Sequence, residues 1–117
     1  MIPELDGRPV MDEAAALDMV EGERDLLEEI LELFEDCTRD RVAELRESVA
    51  SGELDRVSSA AHAIKGAAAN ICAERIRLLA AQMESDARQG VVADISEMSA
   101  MLEAEFDRFV AEVEFTA

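Results

Sequence analysis

Two residue types that occur only once in the chain lie three positions apart. They are His62 and Lys65, and Gly66 follows immediately. In a helix, side chains lean toward the N-terminus, so residues 65 and 66 lie over the imidazole of residue 62. A glycine inside a helix costs about 1 kcal/mol relative to alanine, so its use here indicates a need for open space above the ring. A nucleophilic nitrogen with a clear approach and a nearby ammonium predicts a phosphoryl acceptor.

The direction of the histidine follows from helix geometry. At 100° per residue, His62 points about 140° away from Val57, which belongs to the apolar stripe of the same segment, and Lys65 points about 80° away. The sequence therefore predicts that the imidazole faces solvent and that the lysine lies at the edge of the same face.

A residue that orients the ring is predicted on the next helix. If the turn between the two helices centres on Ala73, Glu84 lies level with His62. A carboxylate that accepts the Nδ1 proton would fix the tautomer and leave Nε2 free to attack. Gln82 is the second candidate, because a one-residue error in the turn would exchange the two.

The elements that position these residues are predicted to be helices. Aromatic residues make up 3% of the chain, and both prolines lie near its N-terminus. Apolar residues recur at three- and four-residue steps over about 23–50, 54–72, 76–89 and 95–113, after a short helix that Asp12 caps. Because the connections are short, each long helix must be antiparallel to the next. The predicted fold is all-α, an antiparallel up-down-up-down four-helix bundle with a short additional N-terminal helix. We expect one domain over 1–117, with a loose segment at 1–10.

Composition limits the class of partner. The net charge is −17, which disfavours nucleic acid and anionic membrane surfaces. No apolar run reaches the length of about 20 residues that spans a bilayer, and the N-terminus lacks a signal-peptide pattern, so we expect a cytoplasmic protein. Cys37 and Cys72 form no CxxC or zinc spacing, and both are predicted to pack as small core residues.

The segment AAHAIKGAAANICAERIRLLAAQMES resembles the signature of histidine-containing phosphotransfer (HPt) domains. That signature has an alanine-histidine pair, a hydrophobic residue, lysine and glycine, then small residues and a later hydrophobic-acid pair. The resemblance extends through the preceding helix and covers nearly the whole chain. It implies that His62 is phosphorylated, that Lys65 stabilises the phosphoryl group, that Gly66 leaves space for a docking receiver domain, and that Glu84 lies beside the imidazole. The chain departs from the pattern at Cys72, where the family usually has glycine.

The resemblance implies a histidine phosphotransfer protein of a two-component phosphorelay, which accepts a phosphoryl group from one receiver aspartate and passes it to another. The chain has no glycine-rich phosphate loop, so we expect no ATP-dependent kinase activity. No intrinsic cofactor or metal is expected, and Mg²⁺ would come from the receiver. Expected partners are response-regulator receivers and a hybrid sensor histidine kinase, with the chain itself a monomer.

Two alternatives compete with this interpretation. A di-iron bundle would need Glu-x-x-His pairs, and the chain has one histidine, with Ser59 three positions before it. A docking module that binds a receiver or kinase without phosphotransfer is the remaining alternative. Both the phosphotransfer protein and the docking module would bind a receiver. For that contact, the apolar candidates are Ala15 and Met19, and the cationic candidates are Lys65 with Arg39 or Arg41.

Overall fold

The computed structural model describes residues 1–113, which form five helices and no strand. The helices are α1 (Glu13–Met19), α2 (Arg24–Ser51), α3 (Leu54–Asn70), α4 (Glu74–Gln89) and α5 (Ile95–Val113). The predicted all-α fold is confirmed. Asp12 caps α1 as predicted, because its Oδ1 accepts a hydrogen bond from the backbone N–H of Ala15 at 3.0 Å.

The four long helices close into a bundle. Each packs against the next in sequence, and α5 returns to pack against α2, while the short α1 lies against α2. The shared core contains the fully buried side chains Val57, Ile64, Leu79, Met83, Met98 and Leu102. Phe34 joins α2 to α5, with its ring centroid 5.0 Å from that of Phe109. Burial of these apolar faces fixes which side of α3 and α4 is left to solvent.

The turn between α3 and α4 differs from the other tight turns. Gly52 and Gly90 end α2 and α4 in the left-handed conformation, each with φ of 74°. At the end of α3 the left-handed residue is Cys72, with φ of 59°. The N–H of Ala73 donates to the carbonyl of Ala68 at 2.9 Å, which closes a Schellman motif. This is the position where glycine avoids the steric cost of a side chain.

The predicted packing of the two cysteines is wrong. Helix α3 was expected to continue through Cys72 but ends at Asn70, so the cysteine belongs to the turn and is only partly buried. Cys37 is exposed, because it lies beside the exposed Leu33 on the outer flank of α2 and about 60° from the core residue Phe34.

The N-terminal segment is not loose, although it has no helix. The side chains of Leu5 and Val10 are buried in the main core. Arg75 on α4 donates through Nη1 to the carbonyl of Leu5 at 2.7 Å and to that of Arg8 at 3.2 Å. The same guanidinium pairs with both carboxylate oxygens of Glu105 on α5, each at 2.8 Å. The segment is therefore held against the α4 and α5 side of the bundle.

Candidate functional site

His62 lies in the middle of α3 with 64% of its side chain exposed. The stripe of Val57, Ala61 and Ile64 is fully buried, so the opposite face of the helix carries the imidazole outward. Nδ1 lies 2.7 Å from Oε2 of Glu84 on α4, and Nε2 has no partner among residues 1–113. The predicted outward direction of the ring and its contact with Glu84 are both present.

Glu84 is almost completely buried, with 4% of its side chain exposed. Burial alone would raise the pKa of this carboxyl, but hydrogen bonds from Lys65 and His62, and the charges of Lys65 and Arg88, outweigh burial and lower it. The carboxylate is therefore ionised at neutral pH and can only accept hydrogen bonds. Because Glu84 accepts, Nδ1 must carry the proton, and the lone pair of the neutral ring lies on Nε2.

Lys65 lies close to the ring, as predicted, but its ammonium is already bound. Nζ donates to Oε1 of Glu84 at 2.5 Å, and about one third of the side chain is exposed. The sequence suggested only that this cation would meet an anion on the ring. The structure adds that Glu84 holds the cation beside the ring in the unphosphorylated protein.

Gly66 lies one turn after the histidine, inside α3. A Cβ added to this residue would meet no atom within 4 Å, so no contact within residues 1–113 requires a glycine here. Its backbone is helical and needs no left-handed conformation. The space above the ring is therefore open, and the cost of a helical glycine has no explanation within the described fold.

Arg88 is a member of the site that sequence reasoning missed. Its Nη2 forms an ion pair with Oε2 of Glu84 at 2.7 Å, and its Nε donates to Oγ of Ser58 on α3 at 3.3 Å. The signal was the four-residue spacing of Glu84 and Arg88 on one helix, which brings their side chains together. Gln82, the alternative partner of the ring, instead donates to Asp86 at 2.8 Å.

The other residues predicted to contact a partner differ in their exposure to solvent and in their present contacts. Met19 is 55% exposed and lies beside Cys72, with Sδ and Sγ 3.5 Å apart, while Ala15 is half-buried. Arg39 pairs with Glu35 and lies over the ring of Phe106, and Arg41 pairs with Glu44. Both arginines on α2 are exposed but already have acidic partners.

Within residues 1–113 there is no group of three or more His, Cys, Asp and Glu side chains that could hold a metal ion. None of the described helices is both long and apolar enough to cross a membrane.

A family model and a solved structure both match this chain. The family model of the Hpt domain matches residues 29–112, which is more than half of the chain. Among solved structures, the chain is similar to histidine-containing phosphotransfer protein B (HptB) from Pseudomonas aeruginosa PAO1, with 22% sequence identity and a TM-score of 0.80. The match covers 87% of this chain and 89% of that one. At this identity the likeness shows the fold alone. The curated proteins contain no match.

Proposed function

The chain belongs to the Hpt domain family, the histidine phosphotransfer domains of phosphorelays, and we propose that His62 is its phosphoryl acceptor. One observation carries the proposal: Nε2 of an exposed imidazole has no partner within residues 1–113, while Nδ1 is held by the ionised, buried Glu84. This arrangement presents a single lone pair to an incoming phosphoryl group.

The transfer is a displacement at phosphorus. The Nε2 lone pair of His62 attacks the aspartyl phosphate of a receiver, so that a P–N bond forms and the P–O bond to the aspartate breaks. The electron pair of that bond leaves on the aspartate carboxylate. The ring now carries a proton on Nδ1 and a phosphoryl group on Nε2, and Glu84 stabilises its positive charge. A second receiver aspartate attacks the phosphorus in turn and returns the pair to Nε2, so each step is reversible.

Lys65 is proposed to move from Glu84 to the phosphoryl oxygens. Its partly exposed ammonium sits on a flexible stem beside the ring, and it can exchange one anion for another over a short distance. The exchange would place a positive charge where negative charge collects during transfer. We propose that Mg²⁺ is bound by the receiver.

The docking surface is proposed to surround His62 and to include α1. Met19 contacts Cys72, ten residues after the histidine, which corresponds to about 15 Å along a helix axis. A typical interface buries about 800 Å² per partner, equivalent to a disc of about 16 Å radius, so one receiver can cover both residues. Gly66 lies within this area, and its missing side chain leaves room for the partner. The proposed partners are receiver domains and a hybrid sensor histidine kinase, bound by a monomer.

The deciding experiment mixes the chain with phosphorylated receiver domains. We expect it to gain phosphate that is labile in acid and stable in base, and His62→Gln should gain none while keeping its helical circular dichroism. Ser59→Ala serves as a matched control, because it alters the same exposed face of α3 and leaves the ring in place. If His62→Gln accepts phosphate as well as the unaltered chain, the proposal is wrong. If the unaltered chain binds receivers but gains no phosphate, the docking-module alternative is correct.

A further inference from the structure

We propose that Arg88 is a positioning residue that prolongs the life of the phosphohistidine by weakening the hold of Glu84 on the Nδ1 proton. This inference deepens the proposed function and rests on phosphorylation of His62 at Nε2. It follows from the way in which the carboxylate of Glu84 is shared by the side chains around it.

The two oxygens of Glu84 are not equivalent. Oε1 accepts a hydrogen bond from Lys65, whereas Oε2 accepts one from Nδ1 of His62 and also forms an ion pair with Nη2 of Arg88, both at 2.7 Å. The guanidinium therefore competes with the imidazole for the same oxygen. Ser58 lies 3.3 Å from Nε of Arg88 and helps to hold the guanidinium across the gap between α4 and α3.

Besides the imidazole of His62, Lys65 and Arg88 are the cationic side chains within residues 1–113 that contact the Glu84 carboxylate. Lys65 reaches it from α3 and Arg88 from α4, and none of the described charged side chains of α2 or α5 contacts it. If Lys65 moves to the phosphoryl group, as proposed above, Arg88 is the cationic side chain within residues 1–113 that stays on Glu84 beside the phosphorylated ring. The influence of Arg88 on Glu84 is then greatest in the phosphorylated protein, where it affects the lifetime of the phosphohistidine.

The location of the Nδ1 proton decides how easily the P–N bond breaks. A phosphohistidine that keeps this proton releases a neutral imidazole, which is a good leaving group. A ring that has lost the proton would have to leave as an anion, so its P–N bond persists. Glu84 favours the protonated ring, and Arg88 opposes it by binding the same oxygen and by repelling the ring's positive charge. The arginine thus shifts the ring toward the long-lived form.

The test uses Arg88→Gln and phosphoramidate, a small-molecule donor that needs no receiver. At pH 8 we expect hydrolysis of the phosphohistidine to be about fivefold faster in the variant, because a lost neighbouring charge changes a proton equilibrium by about that factor. At pH 5 the two rates should converge, since the ring is then protonated in both proteins. Arg88→Lys should restore most of the lifetime.

Arg77→Gln is the matched control. It removes the same charge from the same helix, but Arg77 pairs with Glu74 and not with Glu84. Its phosphohistidine should hydrolyse at the unaltered rate.

A second measurement needs no phosphorylation. The chain has a single histidine, so the NMR titration of its imidazole is unambiguous. The midpoint should move to higher pH in Arg88→Gln and stay in place in Arg77→Gln. An unchanged midpoint in Arg88→Gln would overturn the inference, whatever the phosphorylation result. A failure of receivers to phosphorylate the chain, with this midpoint still shifted, would count against the proposed function alone.

Discussion

Glu84 is buried and Glu105 is largely buried; both have cationic partners, but the groups around them differ in whether they reach solvent. Glu105 and Arg75 are both largely buried, at 12% and 13% exposure, and the arginine spends its donors on both carboxylate oxygens and on two backbone carbonyls. Glu84 is more deeply buried, at 4% exposure, but the groups that contact it reach solvent: a lysine, an arginine and a histidine whose second nitrogen has no partner within residues 1–113. A network that satisfies its own members holds the fold together. One that ends in an open nucleophile can do chemistry.

The largest expected effect on stability lies in the closed network, which consists of Arg75, Glu105 and the carbonyls of Leu5 and Arg8. Arg75→Ala leaves Glu105 buried without its partner and frees the N-terminal segment, which should cost about 3 kcal/mol of unfolding free energy. Urea denaturation measures this loss. Arg77→Ala, which breaks a more exposed pair on the same helix, with about one third of each side chain exposed, should cost less than about 1 kcal/mol. Equal losses for the two variants would mean that the Arg75 network has no special structural role.

The cost of Arg75→Ala should also depend on pH. Hydrogen bonds from Arg75 lower the pKa of Glu105, with burial acting in the opposite direction. A carboxyl with a lowered pKa stabilises the fold above its unfolded-state pKa and loses that contribution as the pH falls through its folded-state pKa. The difference between the two proteins should therefore shrink in acid. Part of it should remain, because the bonds from Arg75 to the carbonyls of Leu5 and Arg8 do not titrate.

The open network consists of Glu84 with His62, Lys65 and Arg88. Substitutions in it should affect phosphoryl transfer more than stability. Lys65→Ala is expected to slow phosphoryl transfer from a receiver about 100-fold, the order of effect seen when one preorganised donor is removed. Its unfolding free energy should fall by less than about 1 kcal/mol, because His62 and Arg88 still hold Glu84. Quench-flow transfer rates and urea denaturation provide the two readouts. A stable Lys65→Ala variant with unaltered rates would remove the role assigned to this lysine.

Gly66→Ala separates stability from function at one position. The added methyl group meets no described atom, so the helix should gain about 1 kcal/mol. Transfer from a receiver should fall about tenfold, since a displacement of about 1 Å between reacting groups can cost that much or more. Phosphorylation by phosphoramidate, which is small, should be unaffected. Slower reaction with both donors would place the defect in the ring itself and not in docking.

The smallest expected effect lies in the turn after α3. Cys72→Gly should stabilise the fold by about 0.5 kcal/mol, because the relief of left-handed strain slightly exceeds the entropy cost of glycine. Gly90→Cys places a cysteine in the corresponding turn after α4 and should destabilise by a similar amount. Thermal unfolding compares the two. A loss of stability in Cys72→Gly would show that the contact with Met19 outweighs the strain.

The sequence predicted contacts of the open network but not those of the closed one, and the reasons are physical. Helical periodicity predicted the bundle and the outward direction of His62, and counting residues from Ala73 predicted the contact with Glu84, because both depend on regular geometry. Arg75 and Glu105 are 30 positions apart in the chain and lie on two different helices. The N-terminal segment, whose carbonyls Arg75 also binds, has no periodic pattern. No local sequence pattern predicts such contacts.

The errors at the cysteines have a similar origin. The apolar residues around Cys72 continue the pattern of α3, and the usual signal for a helix end, a glycine, is missing there. Only the backbone shows that the chain turns at this residue. Cys37 lies on the edge of the apolar stripe of α2, where a shift of 60° separates a buried position from an exposed one.

The central claim is that Glu84 directs the phosphoryl group to one nitrogen of His62. The most direct test phosphorylates the ¹⁵N-labelled chain with a receiver's aspartyl phosphate and records ¹H–¹⁵N long-range correlations of its single imidazole, with ³¹P coupling to locate the bond. We expect phosphate on Nε2 with Nδ1 still facing Glu84. Phosphate on Nδ1, or an imidazole that remains unmodified while another residue gains phosphate, would contradict the claim.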